Sequence, residues 1–338
     1  MSRLSHIDGL RGAASLAVCW YHMTHGGKLL GDGAVAKASS FGFLGVEVFF
    51  VISGFVIPWS MERSGYRWRD FGSFFAKRLL RVHPPFVVAC LVAVLLNIIS
   101  TQIPGYAGSL TNDYPLEALR ALGFDSLYLS GILGRDWILV VAWTLAIEVQ
   151  FYLLAGILFP LLSMKKPWSL GLGLLVLAIV AFGLSDGRWI FAWLPFFTLG
   201  WAAAWLKQRS HWAGWLAAGV SLVMAMVTAS FAAVLAALGA FLFILFWKRP
   251  LWRVWGFLGA ISYSLYLVHV PVGGRVVNLA GRFVDGPWAM GGVALFGTLI
   301  SIAFGWAFWR WIEKPVHQWS LKWRAARASP AVESVSSS

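Results

Sequence analysis

Long apolar runs alternate with short polar connections along almost the whole chain. An α-helix needs about 20 mostly apolar residues to cross the hydrocarbon core of a bilayer. The pattern therefore predicts ten membrane-spanning helices. They cover residues 8–26, 41–59, 84–101, 143–163, 168–185, 189–206, 212–228, 230–247, 256–274 and 288–311.

The composition agrees with a membrane protein and excludes a soluble domain. Hydrophobic residues make up 59% of the 338 residues and charged residues only 12%, about half the usual charged share of globular proteins. The 21 Trp and 25 Phe are typical of chains that contact the lipid interface. The predicted fold class is all-α, a polytopic transmembrane helical bundle at 1–315, followed by a disordered cytoplasmic tail at 316–338.

The basic residues indicate the orientation of the bundle. The chain has 27 Lys and Arg against 14 Asp and Glu, a net charge of +13. In a soluble protein this excess would suggest a nucleic-acid partner. Here most basic residues fall in every second connection between the apolar runs, as the positive-inside rule describes. We therefore predict an integral plasma (inner) membrane protein with both termini cytoplasmic and no nucleic-acid partner.

Several ionisable side chains fall inside predicted spans, where each costs at least a few kcal/mol unless it is paired or faces a wet cavity. Among them are Arg11, His22, Glu47, Glu148 and His269. Each is therefore a candidate functional residue. Cys19 and Cys90 both lie in apolar runs, so their spacing gives neither a disulfide framework nor a zinc site, and we expect no metal.

Arg11 and His22 lie on the first predicted span. Their spacing is about three helical turns, which puts both near one face and about 16 Å apart. A fixed cation near one mouth and a titratable base deeper in could hold an anionic donor and activate a nucleophile. An interfacial anchor for Arg11 and a hydrogen-bonded core histidine for His22 are the structural alternatives.

Glu148 is predicted at a depth comparable with that of His22, since about 7–8 Å separate it from the outer edge of its helix. A carboxylate there could orient the imidazole of His22 and stabilise its charged form. The alternative is a structural hydrogen bond between helices. His269, just before Pro271, is predicted to lie at the outer interface.

Two further segments carry polar residues of interest. Glu47 and Ser53 share the second span with Gly54, where small residues favour close helix packing. Arg78 and Arg81 follow on the side predicted to be cytoplasmic. Two guanidinium groups at this spacing can bind phosphates, although the positive-inside rule alone also explains basic residues there.

Taken together and in order, these segments resemble the acyltransferase-3 family of integral-membrane acyltransferases. The segments extend from Ile7 to Pro315, and Glu47 stands where the family often has Asp. His83 and Phe86 vary the stretch after the R-x-x-R motif. The matching residues are Arg11 and His22; Gly45 to Gly54; Arg78 and Arg81; Trp143, Thr144, Leu145, Glu148, Phe151 and Tyr152; Ser262, Tyr263, Tyr266, His269 and Pro271; and Glu313, Lys314 and Pro315.

The resemblance implies transfer of an acyl group, most simply acetyl, from cytoplasmic acetyl-CoA. The acceptor it implies is a hydroxyl of an extracytoplasmic glycan, such as lipopolysaccharide or exopolysaccharide, or of an exported metabolite. His22 would be the catalytic base, held by Glu148, and Arg11, Arg78 and Arg81 would bind the donor. The other polar site candidates are Glu47, Ser53, Trp143, Tyr152, Tyr266 and His269. The chain resembles the stand-alone members, which have no hydrolase-like domain.

Two other functions fit parts of the same pattern. A proton-coupled secondary transporter could use His22, Glu148 and His269 as a relay, although the sequence has no inverted repeat. A structural or lipid-binding bundle would leave the buried ionisable residues individually replaceable. The identity of the acceptor and the oligomeric state have no signal in the sequence.

Overall fold

The computed structural model describes residues 5–102, 114–162, 173, 186–209, 212–249 and 251–320. The described part is helical, and no strand occurs in it. We number its α-helices in chain order. They are α1 Ser5–Met23, α2 Ala34–Ser40, α3 Gly45–Arg63, α4 Phe71–Ser100, α5 Tyr114–Ser126, α6 Ala142–Leu162, α7 Ile190–Arg209, α8 Trp212–Thr228, α9 Phe231–Phe246, α10 Arg253–Val268, α11 Arg275–Ala280 and α12 Pro287–Phe308.

Six helical segments in the described residues are long and apolar enough to cross a membrane. They are Ala34–Arg63, Trp68–Ser100, Ala142–Leu162, Ile190–Gln208, Arg253–Ala280 and Pro287–Ser320. The all-α, multi-span fold class is therefore confirmed. The count of ten and the position of the termini stay predictions.

The remaining predicted spans have different outcomes. The first falls on α1, which is less apolar than those six because it carries Asp8, Arg11 and His22. The spans at 212–228 and 230–247 match α8 and α9, which are shorter apolar helices. Apart from Gly173, the span at 168–185 lies outside the described residues. The tail predicted to be disordered at 316–338 is helical over residues 316–320, and from 321 onward it lies outside the described residues.

Small residues determine how closely the helices approach. A Cβ atom on Gly54 of α3 would lie 2.1 Å from the Phe197 carbonyl oxygen of α7, and one on Gly200 would lie 2.0 Å from the Val51 carbonyl oxygen. The same holds where α1 meets α10, since a Cβ on Gly12 would lie 2.7 Å from the Gly259 nitrogen. Close backbone contact of this kind is how helices pack within membranes, where apolar burial from water contributes little.

Large apolar side chains fill the interior and also cover the outside of the bundle. Phe151 and Phe197 stack with ring centroids 4.2 Å apart inside the bundle, whereas Leu91, Leu95 and Ile99 of α4 are exposed. In water such an apolar exterior would aggregate, so it indicates a surface that contacts lipid.

Two features of the chain path bring polar residues together. α4 begins at Phe71 rather than at the predicted residue 84, so Arg78 and Arg81 lie within a long helix and not beside its end. After α10 the chain continues as a π-helical turn, His269–Gly274. Single π turns of this type re-aim side chains and often mark functional sites.

Candidate active site

Three arginines from two helices line one cavity, called here the arginine cavity. Arg11 of α1 and Arg78 and Arg81 of α4 face it together with Ser53 and Glu148. Arg78 donates from Nη2 to the Ser60 hydroxyl at 2.8 Å, and its guanidinium lies over the Phe74 ring. Among the residues that line this cavity, three guanidinium groups face one carboxylate, an arrangement that suits a polyanionic ligand. Asp8 and Glu313 compensate part of the charge of Arg11 from outside this lining.

Glu148 belongs to this cationic cluster. Its Oε1 accepts a hydrogen bond from the Ser53 hydroxyl at 2.8 Å, and the Tyr152 hydroxyl interacts with the same carboxylate. Arg11 and Arg78 are both within its electrostatic influence. Of the sequence-predicted site residues, the structure thus brings together Arg11, Arg78, Arg81, Ser53, Tyr152 and Glu148.

The predicted pairing of Glu148 with His22 is not formed. Glu148 lines the arginine cavity, whereas His22 lines a different cavity at the other end of the site. The sequence argument matched the two residues in depth, but depth does not fix which way a helix turns its side chains. The carboxylate of α6 is directed at the arginines of α1 and α4 instead of at the imidazole.

A second cavity, called here the central cavity, adjoins the first. Arg11, Ser53, Glu148 and Tyr263 line both, and Tyr266 and Thr144 line the central cavity alone. The Thr144 and Tyr266 hydroxyls lie 2.8 Å apart, and the Tyr263 hydroxyl donates to the Val82 carbonyl at 2.6 Å. Ser262 and the apolar residues Val46, Phe49, Phe50 and Leu145 complete the lining.

A wider third cavity, called here the entrance cavity, opens beside the arginines. Arg11 and Arg81 line it together with Glu313 and Lys314 of the terminal sequence motif. Glu313 accepts a hydrogen bond from the Ser264 hydroxyl at 2.6 Å, which ties the π turn after α12 to α10. The three cavities are therefore neighbours with Arg11 and Tyr263 in common.

His269 lies inside the bundle and not at the interface, which corrects the prediction. The residue is fully buried, because α10 passes into the π turn through His269 while it still packs against α12 and α1. The Nδ1 atom lies 3.1 Å from the Leu265 carbonyl. A carbonyl oxygen can only accept, so Nδ1 carries the proton. The Nε2 atom has no hydrogen-bond partner among the described residues.

The rings of Tyr266, His269 and His22 form a row. The His269 ring centroid lies 5.8 Å from that of Tyr266 and 5.2 Å from that of His22. Tyr266 lines the central cavity, whereas His22 lines the fourth cavity, called here the histidine cavity. The row therefore leads from the lining of the central cavity to the lining of the histidine cavity, with His269 between them, and we call these three rings the septum.

Two sequence-predicted candidates lie away from the cavities described here. Glu47 is buried, with an Oε2 atom that has no hydrogen-bond partner among the described residues, and nothing in the structure explains this. Trp143 packs on Trp193 with ring centroids 5.0 Å apart, and so contributes to helix packing.

Sequence reasoning missed several residues of the histidine cavity, among them Asn97, Trp137 and Arg275. Asn97 and Arg275 are polar residues within or beside apolar runs, and this was a signal that could have been used. Trp137 follows a polar loop, and nothing in the sequence around it indicated a role in the site. Within the described ranges, no group of three or more His, Cys, Asp or Glu is arranged to hold a metal ion.

The chain is similar in sequence to proteins of known activity class. It is 29% identical over 191 residues to the O-acetyltransferase OatA of Staphylococcus aureus, a match that covers 54% of this chain and 29% of OatA. It is 35% identical over 159 residues to nodulation protein 10 of Rhizobium leguminosarum bv. viciae, covering 44% of this chain and 39% of that protein.

A third relative is the peptidoglycan O-acetyltransferase OatA of Listeria monocytogenes, 28% identical over 194 residues. That match covers 54% of this chain and 28% of the Listeria protein. The matches thus span less than half the length of each of these relatives. No solved structure matches the chain significantly.

The profile of the acyltransferase domain matches residues 4–310, which is nearly the whole described chain. The motif residues Arg11, His22, Arg78, Arg81 and Glu148 all lie within that match, and each lines one of the cavities described above. Family membership and the several apolar helices together indicate a multi-pass membrane protein. The chain belongs to the acyltransferase-3 family of membrane acyltransferases.

Proposed function

We propose that this protein transfers an acetyl group from cytoplasmic acetyl-CoA to a hydroxyl of a glycan on the opposite side of the plasma membrane. The observation that carries the proposal is the order of the cavities: a cationic cluster at one end, His22 at the other, and a thin septum between them. The O-acetyltransferase relatives support acetyl as the acyl group, and the Listeria relative supports a cell-envelope polymer as the acceptor.

The donor binds from the side with the arginines. Coenzyme A carries a diphosphate and a ribose phosphate, and Arg11, Arg78 and Arg81 offer several charge-assisted hydrogen bonds to such groups. The slim, uncharged pantetheine arm then fits the central cavity, whose walls combine hydroxyl groups with the apolar side chains of Val46, Phe49 and Phe50. The thioester must pass the Tyr266 ring to come within bonding distance of a hydroxyl held at His22. The charge pattern of the connections supports a cytoplasmic position for this side and for both termini.

His22 acts as the general base at the septum. Its unprotonated ring nitrogen takes the proton of the acceptor hydroxyl while the hydroxyl oxygen attacks the thioester carbonyl carbon. The C–S bond breaks, the acetyl ester forms, and the coenzyme A thiolate leaves with the proton from His22 as free thiol. A transient acyl-His22 uses the same atoms, with His22 attacking the thioester first.

Glu148 supports the donor side in this scheme. Its carboxylate holds the Ser53 hydroxyl and offsets part of the charge of Arg11 and Arg78. Three guanidinium groups in a low-dielectric site would otherwise repel each other strongly in the absence of ligand. Glu148 therefore stabilises the arginine cavity after one donor molecule has left and before the next one binds.

Replacement of His22 with Ala should lower acetyl transfer by about 100-fold or more, the usual contribution of a general base. The assay follows alkali-labile radiolabel from acetyl-CoA into the glycan fraction of membranes that contain equal amounts of protein. The matched control is His6→Ala, which removes an imidazole from the same helix but outside the four cavities. A His22→Ala protein that labels glycans at half the wild-type rate or more would contradict the proposal.

The double substitution Arg78→Gln with Arg81→Gln should raise KM for acetyl-CoA about tenfold or more, because charge-assisted hydrogen bonds to phosphate are lost. The same protein should match the wild type when S-acetylpantetheine is the donor, since that donor has no phosphate. Arg63→Gln is the control, because Arg63 is an exposed arginine of α3 that lies over Trp59. An equal defect with both donors would assign the arginines to folding or to a later step.

A further inference from the structure

The histidine cavity has the dimensions and walls of a ligand site. Its cavity volume is about 360 Å³, which is within the range of ~300–1,000 Å³ typical of small-molecule sites. Its walls come from α1, α4, the turn after α10, α11 and the segment before α6. The polar and aromatic lining residues are His22, His25, Asn97, Trp137, Arg275 and Asn278.

Arg275 fixes one wall of this cavity. Its Nε donates to the Ser100 hydroxyl at 3.2 Å, Nη1 donates to the Pro271 carbonyl and Nη2 to Asn97 Oδ1. One guanidinium thus joins the end of α4 to the π turn. Because Asn97 Oδ1 accepts from Arg275, the amide nitrogen of Asn97 is the group available to donate to a ligand.

Asp125 fixes the opposite wall. Its carboxylate accepts hydrogen bonds from the Ser130 hydroxyl and, at 2.9 Å, from the Ile138 backbone nitrogen. The segment that carries Trp137 is thereby tied to the end of α5. Both walls are therefore held by hydrogen bonds within the protein before any ligand binds, and such preorganisation lowers the cost of binding.

The lining chemistry suits a sugar ring. A pyranose has C–H faces that pack on an aromatic ring and hydroxyl groups that need donors and acceptors, and the lining supplies the Trp137 indole with the Asn97 and Asn278 amides. Among the described residues, the lining contains no carboxylate, and its one guanidinium donates to three neutral protein acceptors. A cationic group therefore finds no counter-charge among these residues, whereas the hydroxyl groups of a sugar find hydrogen-bonding partners.

We propose that the histidine cavity binds one sugar residue of the acceptor, packed on Trp137 and hydrogen-bonded to Asn97 and Asn278. Its reacting hydroxyl then lies against His22, where the thioester reaches it past the Tyr266 ring. This assignment rests on the proposed function and adds to it the place and the chemical class of the acceptor.

The test compares Trp137→Ala and Asn278→Ala with Trp288→Ala, a control that removes a tryptophan which is 94% exposed and outside the four cavities. Label transfer from radiolabelled acetyl-CoA to endogenous glycans is measured in native membranes, and the Kd for coenzyme A is measured on the purified proteins. Both cavity variants should lose transfer about tenfold or more, with a Kd for coenzyme A within about twofold of wild type. The control should match the wild type in both assays.

Two results would overturn the assignment: full transfer by both cavity variants, or a parallel loss of coenzyme A binding in both. Failure of the proposed function looks different, because glycan labelling would then be insensitive to His22→Ala as well. If labelling requires His22 but neither Trp137 nor Asn278, the proposed sugar site is wrong and the proposed function still stands.

The Nε2 atom of His269, which has no hydrogen-bond partner among the described residues, supports a second and independent inference. This atom is buried and lacks a partner among the described residues, a state that ordinarily costs about 1–3 kcal/mol. The nearest imidazole is His22, with ring centroids 5.2 Å apart. Since Nδ1 of His269 already donates to Leu265, Nε2 can only accept.

We infer that His269 is a positioning residue for His22. The N–H of the His22 ring donates to His269 Nε2 during the reaction, which fixes the His22 tautomer and leaves its other nitrogen bare toward the acceptor hydroxyl. The neutral ring of His269 thus orients His22, a role that the sequence analysis predicted for the carboxylate of Glu148.

Two amide substitutions test this inference. Gln places its carbonyl oxygen near the position of Nε2, whereas Asn reaches only the position of Nδ1. His269→Gln should therefore keep at least a third of the wild-type kcat, and His269→Asn should lose about tenfold in kcat with KM for acetyl-CoA unchanged. Equal kcat values for the two variants, or losses that follow a fall in Tm, would show a purely structural histidine.

Discussion

The structure depends on the compensation of charge inside an apolar bundle. Arg11, Arg78 and Arg81 are held around one cavity with Glu148 as the carboxylate among them, and ionisable groups in such a place are expensive unless they are paired or solvated. Under the proposed function, the phosphates of the donor complete this charge balance, and the central cavity next to the arginines receives the uncharged part of the donor.

The septum explains how one active site can serve two compartments. Tyr266 faces the central cavity, His22 faces the histidine cavity, and the buried ring of His269 lies between them. The barrier is thus only a few rings thick at this point, whereas the rest of the bundle is closed by helices in backbone contact, as at Gly54 and Gly200. In the proposed reaction only the acetyl-thioester end of the donor passes the septum, so neither the whole of coenzyme A nor the glycan has to cross the membrane.

The sequence predicted the class of fold and the residues that matter better than it predicted their partners. Long apolar runs and positive-inside charge depend on the bilayer alone, and so the helical bundle was predictable. Arg11 and His22 lie on one helix, where spacing fixes their relation. Glu148 and His22 lie on different helices, whose rotation is set by side-chain packing that a single sequence does not encode visibly.

Long-range packing, which a single sequence does not show, also accounts for the other differences between the predictions and the structure. His269 was predicted at the interface because Pro271 follows it, yet a π turn keeps the chain inside the bundle at this point. Arg275 donates hydrogen bonds to Asn97 and Ser100, which lie far from it in the chain. No local sequence pattern predicts these hydrogen bonds. Long-range polar contacts of this type decide the shape of the histidine cavity, and only the folded structure reveals them.

The central claim is vectorial transfer, and sealed membrane vesicles of known orientation test it most directly. Inside-out vesicles expose the cytoplasmic face, so acetyl-CoA added outside should label glycan in the lumen, in a form that an added esterase removes only after the vesicles are opened. Right-side-out vesicles should give no label until they are made permeable. Labelled glycan on the same side as the added donor would contradict the account.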